Sequence, residues 1–461
     1  MNPLRGTTAV MICATALALG GCRAYAPRPL EPDARYAAFL ERSAADAEVA
    51  AFAASLNERG VKVAFDPADG LSLEEAEVVA LVFNPELRLA RLRAGVARVT
   101  AETAGLWEDP ALGVDAARVI ESAPRPWILM GSLGFTLPIS GRLEAEKLRA
   151  GAEHAAEIAR VAEREWRVVS GLREAWLEWA AAEQRCRVLS ELVGRVESLV
   201  RIVDAKEREG EMARLESSLF RIELATRRAE LLRAQNAERE RRQRVHQVMG
   251  LPAGADAPLI ASWGGDIGED DVLAAARRRS PSLAVALAEY EVAERRLALE
   301  TRRQFPDVGL MPGAGSDMGM EQVTLGVSLP LPLWNRNRQG IGVAEMEREV
   351  AAGAFDAAVE SLHADVRAAL VRLAAARADR MTLEEEIVPL VEEQFAAARA
   401  VAELGEVDVL LLLETLTRRQ EAKLAIVEAR LAEALATARL RALVGPEARG
   451  AAADPGKAVM R

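Results

Sequence analysis

Three histidines, His154, His246 and His363, come first, because imidazole is the commonest metal ligand and general base. None has a second histidine or a cysteine at metal-ligand spacing, and all three read as helix-surface residues. No GxGxxG precedes a helix, and no Walker loop or GxSxG elbow occurs. Residues 313–319 are glycine-rich and hold Asp317, but they lack the Lys-Ser/Thr of a phosphate loop and read as a turn between strands. Met311, Met318 and Met320 lie near it; as a set they suggest a soft-metal box, and the plainer reading is adaptable loop side chains. The chain is therefore expected to be no enzyme and to hold no cofactor or resident metal. Its net charge of -11 argues against a nucleic-acid partner.

The cysteines point elsewhere. Arg5 and an apolar stretch from Thr7 to Leu19 end in Leu19-Gly20-Gly21-Cys22. The stretch is too short to span a bilayer as a mature helix, and it resembles a lipoprotein signal. That resemblance implies that Cys22 becomes the first mature residue and carries the lipid. Arg23, rather than Asp, follows it, which implies delivery to an outer membrane. With Cys13 removed and Cys22 acylated, Cys186 is the one remaining thiol, so no intrachain disulfide is expected.

The elements that must position any function repeat. Asn84-Pro85-Glu86-Leu87 matches Ser280-Pro281-Ser282-Leu283, and Leu137-Pro138 matches Leu329-Pro330. Glu209-Gly210-Glu211 matches Leu404-Gly405-Glu406, and Val248-Met249-Gly250 matches Leu443-Val444-Gly445. The offset stays near 195 residues, which marks an internal duplication. Each half reads as a helix (73–106 or 271–303), two strand-like stretches, a very long helix (141–207 or 340–402), a glycine break and a last helix (212–249 or 407–444). The long helix, of roughly 65 residues, is about 100 Å, and two shorter ones of roughly 35 residues match it end to end. Ala and Leu dominate and aromatics make up only 4%, as suits closely packed helices.

The strand stretches alternate. Trp127, Leu129, Leu133, Phe135 and Leu137 face one way, and so do Val323, Leu325, Val327, Leu329 and Leu331. Small and polar residues such as Ser132, Gly134, Thr136, Gln322, Thr324 and Ser328 face the other. Partner strands are expected at 111–119 and 307–311. An apolar face opposite a small polar one, in runs of about 10 residues, is the pattern of a membrane barrel. A small soluble sheet with one buried face is the alternative. Four strands cannot close a barrel, and open edges are not tolerated in lipid. Two copies would give eight strands, a size filled by side chains; three give twelve and leave a lumen.

With these features the chain resembles the TolC-like outer-membrane efflux family. The resemblance rests on the duplication, on the Asn84-Pro85-Glu86-Leu87 opening and on Leu329-Pro330-Leu331-Pro332-Leu333-Trp334-Asn335-Arg336-Asn337, which looks most like the heavy-metal cation efflux branch. It rests further on the run from Gly405 through Glu414 that leads to Leu443-Val444-Gly445. It implies a mainly α protein with a membrane β-barrel: a homotrimer with a twelve-stranded barrel above an α-helical periplasmic tunnel. The partners implied are a periplasmic adaptor, an inner-membrane pump of RND type and outer-membrane lipid. The domains expected are a signal peptide at 1–21, a lipidated arm at 22–72, efflux repeats at 73–250 and 271–445, a linker at 251–270 and a tail at 446–461.

In that family the helix tips close the tunnel, and acidic residues after the turn glycine narrow it. By resemblance, Gly210 and Gly405 mark the tips and the adaptor-docking turns, and Glu414 matches a ring-forming position. The other acidic position of the second half is Leu411; in the first half the pair is Glu216 and Leu219. Glu216 and Glu414 are therefore the candidate constriction, with Arg208 or Arg214 expected to pair with neighbouring acids at the closed tip. A structural periplasmic coiled-coil lipoprotein without a channel is the competing function, and an adaptor, with β-rich lipoyl-type domains, a third.

Overall fold

The structure is a computed structural model that describes residues 25–61, 63–120, 127–263, 271–403 and 409–446. The chain divides into two units, residues 1–42 and 43–461. In the first, the described part is an extended stretch and helix α1 (Pro32–Leu40), which starts with a proline at its first turn, where no backbone donor is needed. The rest of the description concerns the second unit.

Its elements follow in chain order: α2 (Ala47–Glu58), α3 (Leu73–Phe83), α4 (Pro85–Thr103), β1 (Ala111–Arg118), β2 (Trp127–Leu137), α5 (Arg142–Glu209) and α6 (Arg214–Met249). The second repeat supplies α7 (Val272–Arg279), α8 (Pro281–Arg302), β3 (Val308–Asp317), β4 (Met320–Ser328), α9 (Arg338–Thr382), a π-helical turn at Leu383–Ile387, α10 (Val388–Glu403) and α11 (Val409–Val444). The single helix expected at the head of each repeat is two helices. Pro85 and Pro281 cannot donate to the preceding turn and disfavour helical backbone just before them, so Asn84 and Ser280 become extended joints.

Helix α5 has 68 residues, about 100 Å at the α-helical rise. It packs against α4 and α6 on one side and against α8 and α11 on the other, and α9 packs against α8 and α11 beyond them. The half-length helices meet at close joints. Gly250, at φ +80°, ends α6 so near α3 that a Cβ would lie 2.4 Å from the Phe83 carbonyl oxygen. Gly445, at φ +91°, ends α11 with the same approach, 2.2 Å, to the Arg279 carbonyl oxygen. Only glycine combines positive φ with this contact. The Asn84 amide donates to the Val248 carbonyl at 2.9 Å and closes the first joint.

Three apolar clusters hold the unit. The largest surrounds the first joint and includes Val49, Leu71, Val79, Leu87, Leu172, Trp176 and Met249. The segment from Ser43 to Leu71 thus contributes side chains to it. A second, Leu192, Val196, Val203, Phe220 and Leu416, joins α5, α6 and α11 towards the far end of α5. The third, Leu283, Leu362, Val366, Leu440 and Val444, sits at the second joint. His246 is buried beside the first joint, not on a helix surface as its sequence position suggests, because the segment after Gly250 folds back over it. Among the described residues no helix is long and apolar enough to cross a membrane.

Candidate functional site

The four strands form one antiparallel sheet in the order β1-β2-β3-β4, which leaves β1 and β4 as its edges. The register sorts the faces. Leu112 pairs with Leu133, Ala116 with Leu129, Phe135 with Leu310, and Leu310 with Val327, so one face is largely apolar, with Arg118, Ser316 and Glu321 on it only towards the end away from the helices. Its side chains are open: Leu112, Val114 and Val323 are 77%, 73% and 86% exposed. The other face carries Gly113, Ser132, Gly313, Thr324 and Gly326 in register, with Asp115, Gln322 and Ser328. The strands have 8, 11, 10 and 9 residues. An apolar face of this extent normally finds lipid or protein, since unpartnered patches of such size are rare in monomers.

Three expectations change here. Residues 313–317, expected in a turn, belong to β3, because the glycines alternate with Ala314 and Ser316 and keep the ladder to β2 and β4. The turn is confined to Met318, at φ +46°, and Gly319. Met311 and Met320 are strand residues rather than loop residues, on the small-residue face; Met130 on the same face meets the Gln322 amide at 3.8 Å. Finally, β4 stops at Ser328 instead of running to Leu331, since Pro330 and Pro332 have no N–H to extend a ladder.

At the root of the sheet one cationic hub gathers the strand–helix connections. Arg142, the first residue of α5, lies 3.1 Å from Glu108 before β1, 2.9 Å from Glu146 and 3.5 Å from Asp307 before β3. Asp307 also accepts from the Ser140 backbone at 3.0 Å. The sheet is thereby fixed to the helices at several points. The sequence signal for this hub was no more than scattered charges near strand ends.

At the opposite end of α5, Gly210 adopts φ +77° and reverses the chain, with the Glu211 N–H donating to the Lys206 carbonyl. The charge network there is built on Arg221, which bonds Asp204 at 2.7 Å and Glu207 at 2.8 Å. The buried Ser217 hydroxyl donates to Glu207 at 2.6 Å. Arg208, by contrast, donates to the Asp204 carbonyl of its own helix. Sequence reasoning missed Arg221, because its partners lie a turn of chain away on α5.

Glu216 is exposed and accepts from the Ala213 N–H at 3.4 Å, one half of a capping box. Glu414 is exposed on α11 and pairs with Arg418 at 2.7 Å. Phe220 and Leu416 share one cluster, so the starts of α6 and α11, and with them Glu216 and Glu414, lie at the same end of the unit. Each carboxylate is engaged within its own helix. Gly405 and Cys22 lie outside the described residues.

Well past the middle of the second long helix, after the 45 residues of α9, a π-helical turn leads into the 16 residues of α10. Glu384 within it meets Arg380 and, at 2.8 Å, Arg430, and Glu433 on α11 meets Arg377 at 3.0 Å and Arg380. Burial opposes charge on both carboxyls, yet the arginines outweigh it and hold them below the usual range.

Comparison with known proteins adds a family. Residues 272–446 match the model of the outer membrane efflux protein family. The cobalt-zinc-cadmium resistance protein CzcC of Cupriavidus metallidurans is 25% identical over 213 residues, which cover 44% of this chain and 50% of that protein. The chain thus spans about half the length of this curated relative. The Campylobacter jejuni CmeC outer membrane channel superposes with a TM-score of 0.68 at 14% identity, over 83% of this chain and 89% of that one. The open Neisseria gonorrhoeae MtrE outer membrane channel does so with 0.66 at 18% identity, over 81% and 89%. Residues 272–446 thus match the outer membrane efflux protein family by sequence, and most of the chain shares the fold of the CmeC and MtrE outer membrane channels.

Proposed function

We propose that this chain is the outer-membrane channel subunit of a tripartite efflux system, conducting exported solutes passively. The observation that carries the reading is the sheet: a largely exposed, mostly apolar face, a small polar face and two open edges, on helices of about 100 Å. Open edges in lipid are untenable, so β4 of one copy pairs with β1 of the next. Three copies close a twelve-stranded barrel wide enough for a lumen. A structural coiled-coil lipoprotein has no use for such a sheet.

In this reading acylated Cys22 tethers the trimer to the outer membrane. The turns at Gly210 and Gly405 meet a periplasmic adaptor coupled to an inner-membrane pump of RND type. The name of CzcC supports divalent heavy-metal cations as cargo. Glu216 and Glu414 each supply three copies at the tip, where clustered carboxylates repel one another and attract cations. The closed tip is held by exposed pairs such as Arg221 with Asp204, which solvent screens, and so weak a network suits opening by a partner.

Planar-bilayer recording tests this. Purified protein is expected to conduct, to run as a trimer in native mass measurement, and to lose divalent-cation block in Glu414→Ala or Glu216→Ala. Conductance without change of block in either variant would remove these acids from the constriction; a stable monomer without conductance would remove the channel.

A further inference from the structure

Beyond β4 the apolar alternation of the strand does not stop. Val323, Leu325 and Val327 are followed in the same phase by Leu329, Leu331 and Leu333, which are 48%, 64% and 59% exposed, and then by Trp334, 86% exposed. Pro330 and Pro332 keep this stretch out of any ladder, and a tight turn at Pro332 lets the Leu333 N–H donate to the Leu331 carbonyl at 2.8 Å. It is nevertheless fixed at its far end: Arg336 Nε donates to the Pro332 carbonyl at 3.1 Å. The Asn337 amide donates to the Glu300 carbonyl at 2.8 Å and to its carboxylate at 2.7 Å. Arg336 and Asn337 both take positive φ, which folds the stretch back before α9 begins. An ordered strap that presents three leucines and a tryptophan outward needs an occupant.

The other strand–helix connections at this end of the sheet show the same character. Trp107 before β1, Ile139 after β2 and Phe305 before β3 are 63%, 67% and 52% exposed. Cations follow the strap directly, in exposed Arg336 and Arg338. Tryptophan with apolar neighbours and adjacent arginine is the composition of a bilayer interface, where the indole sits at headgroup level and guanidinium meets phosphate.

We propose that residues 329–334 are a lipid-interface strap that inserts among the phospholipids of the leaflet on the helix side of the barrel and anchors the root of α9. The proposal rests on the channel reading, since it continues the lipid-facing strand face. The strap fixes the depth of the sheet, and through the Asn337–Glu300 contact it holds the start of α9 against α8 at the membrane surface.

Tryptophan quenching in vesicles separates the two ideas. The full chain, Trp334→Phe and Trp127→Phe are reconstituted in phosphatidylcholine brominated either near the headgroup or near the chain ends. The difference between chain and variant isolates each tryptophan. Trp334 is so exposed that its replacement removes no packing. Its share of the emission is expected to fall about twofold with shallow bromine and less with deep bromine, and to resist acrylamide. Quenching of Trp334 by acrylamide alone puts the strap in water and overturns the proposal. Protection from both quenchers means that protein, such as a second copy, covers it, and overturns it equally. Trp127, at the other end of β2, reports on the barrel itself: if bromine reaches Trp127 and not Trp334, only the strap is lost. If it reaches neither, the channel reading falls with it.

Discussion

The two repeats share a plan and differ in how fully each seals itself. Around the first joint, α2, α3 and the segment from Leu251 to Leu259 close over Trp176, Leu172 and Met249 in one large cluster. Helix α3 is buried along most of its length. Around the second joint the equivalent α7 is covered only at Ala275 and Ala276, ends in three arginines and has no counterpart of α2 against it among the described residues. The long helices differ likewise. Buried side chains run the length of α5, whereas α9 buries Ala344, Leu362, Val366 and Ala369 and breaks into a π turn. Duplication thus preserved the joints and the lengths but not the covering. The second repeat's apolar residues, such as Val350, Val371 and Leu390, stay exposed.

The sharpest way to break this comparison is at the glycines. Gly250→Ala is expected to cost about 2–5 kcal/mol, from positive φ and from collision with the Phe83 carbonyl, and Gly445→Ala a similar amount. Gly210→Ala meets nothing within 4 Å and pays only for its φ, about 1–2 kcal/mol. Denaturant midpoints followed by circular dichroism give the ranking; equal losses at Gly210 and Gly250 would show that the close joint is not a shared structural requirement.

A smaller difference separates the two caps. Asn84 accepts from the Glu86 and Leu87 N–H groups at 3.1 Å and donates to Val248, so Asn84→Ala is expected to lose about 1–3 kcal/mol. Ser280 caps nothing with its side chain and only meets Ser282 at 2.9 Å. Ser280→Ala should stay within about 0.5 kcal/mol of the parent chain. A matching pair of losses in urea titration would place the same cap in both repeats.

The smallest effect is a pH dependence. His246 is buried with no hydrogen-bond partner on either ring nitrogen; the Ala257 backbone nearby lies outside bonding geometry. Burial pushes its pKa below 6.5; the Ala257 backbone opposes this in part, and Arg242 adds to it. The unfolded chain therefore binds the extra proton first. Stability is complete above about pH 6.5 and falls as pH drops below it, by at most about 1.4 kcal/mol per pH unit. The duplicated position is Arg441, which keeps its charge throughout. His246→Leu should flatten the profile below pH 6.5, and an unchanged slope would assign it to carboxylates elsewhere.

What was legible in the sequence was what periodicity and backbone chemistry set locally. The duplication, the long helices, the break at Gly210 and the alternating strand faces follow from spacing, because a helix repeats near four residues and a strand at two. Gly210 could be placed at a reversal from its type alone. Local pattern cannot report partners distant in the chain. The ladder that pulled residues 313–317 into β3 depends on β2 and β4 lying alongside, and the burial of His246 depends on a segment folding back after Gly250. The choice of Arg221 over Arg208 as the hub of the tip was likewise made by α5 and α6 coming into contact, since an ion pair exists only where two chains of atoms meet. Sequence set the period of each element; tertiary structure decided which side chains that period brought together.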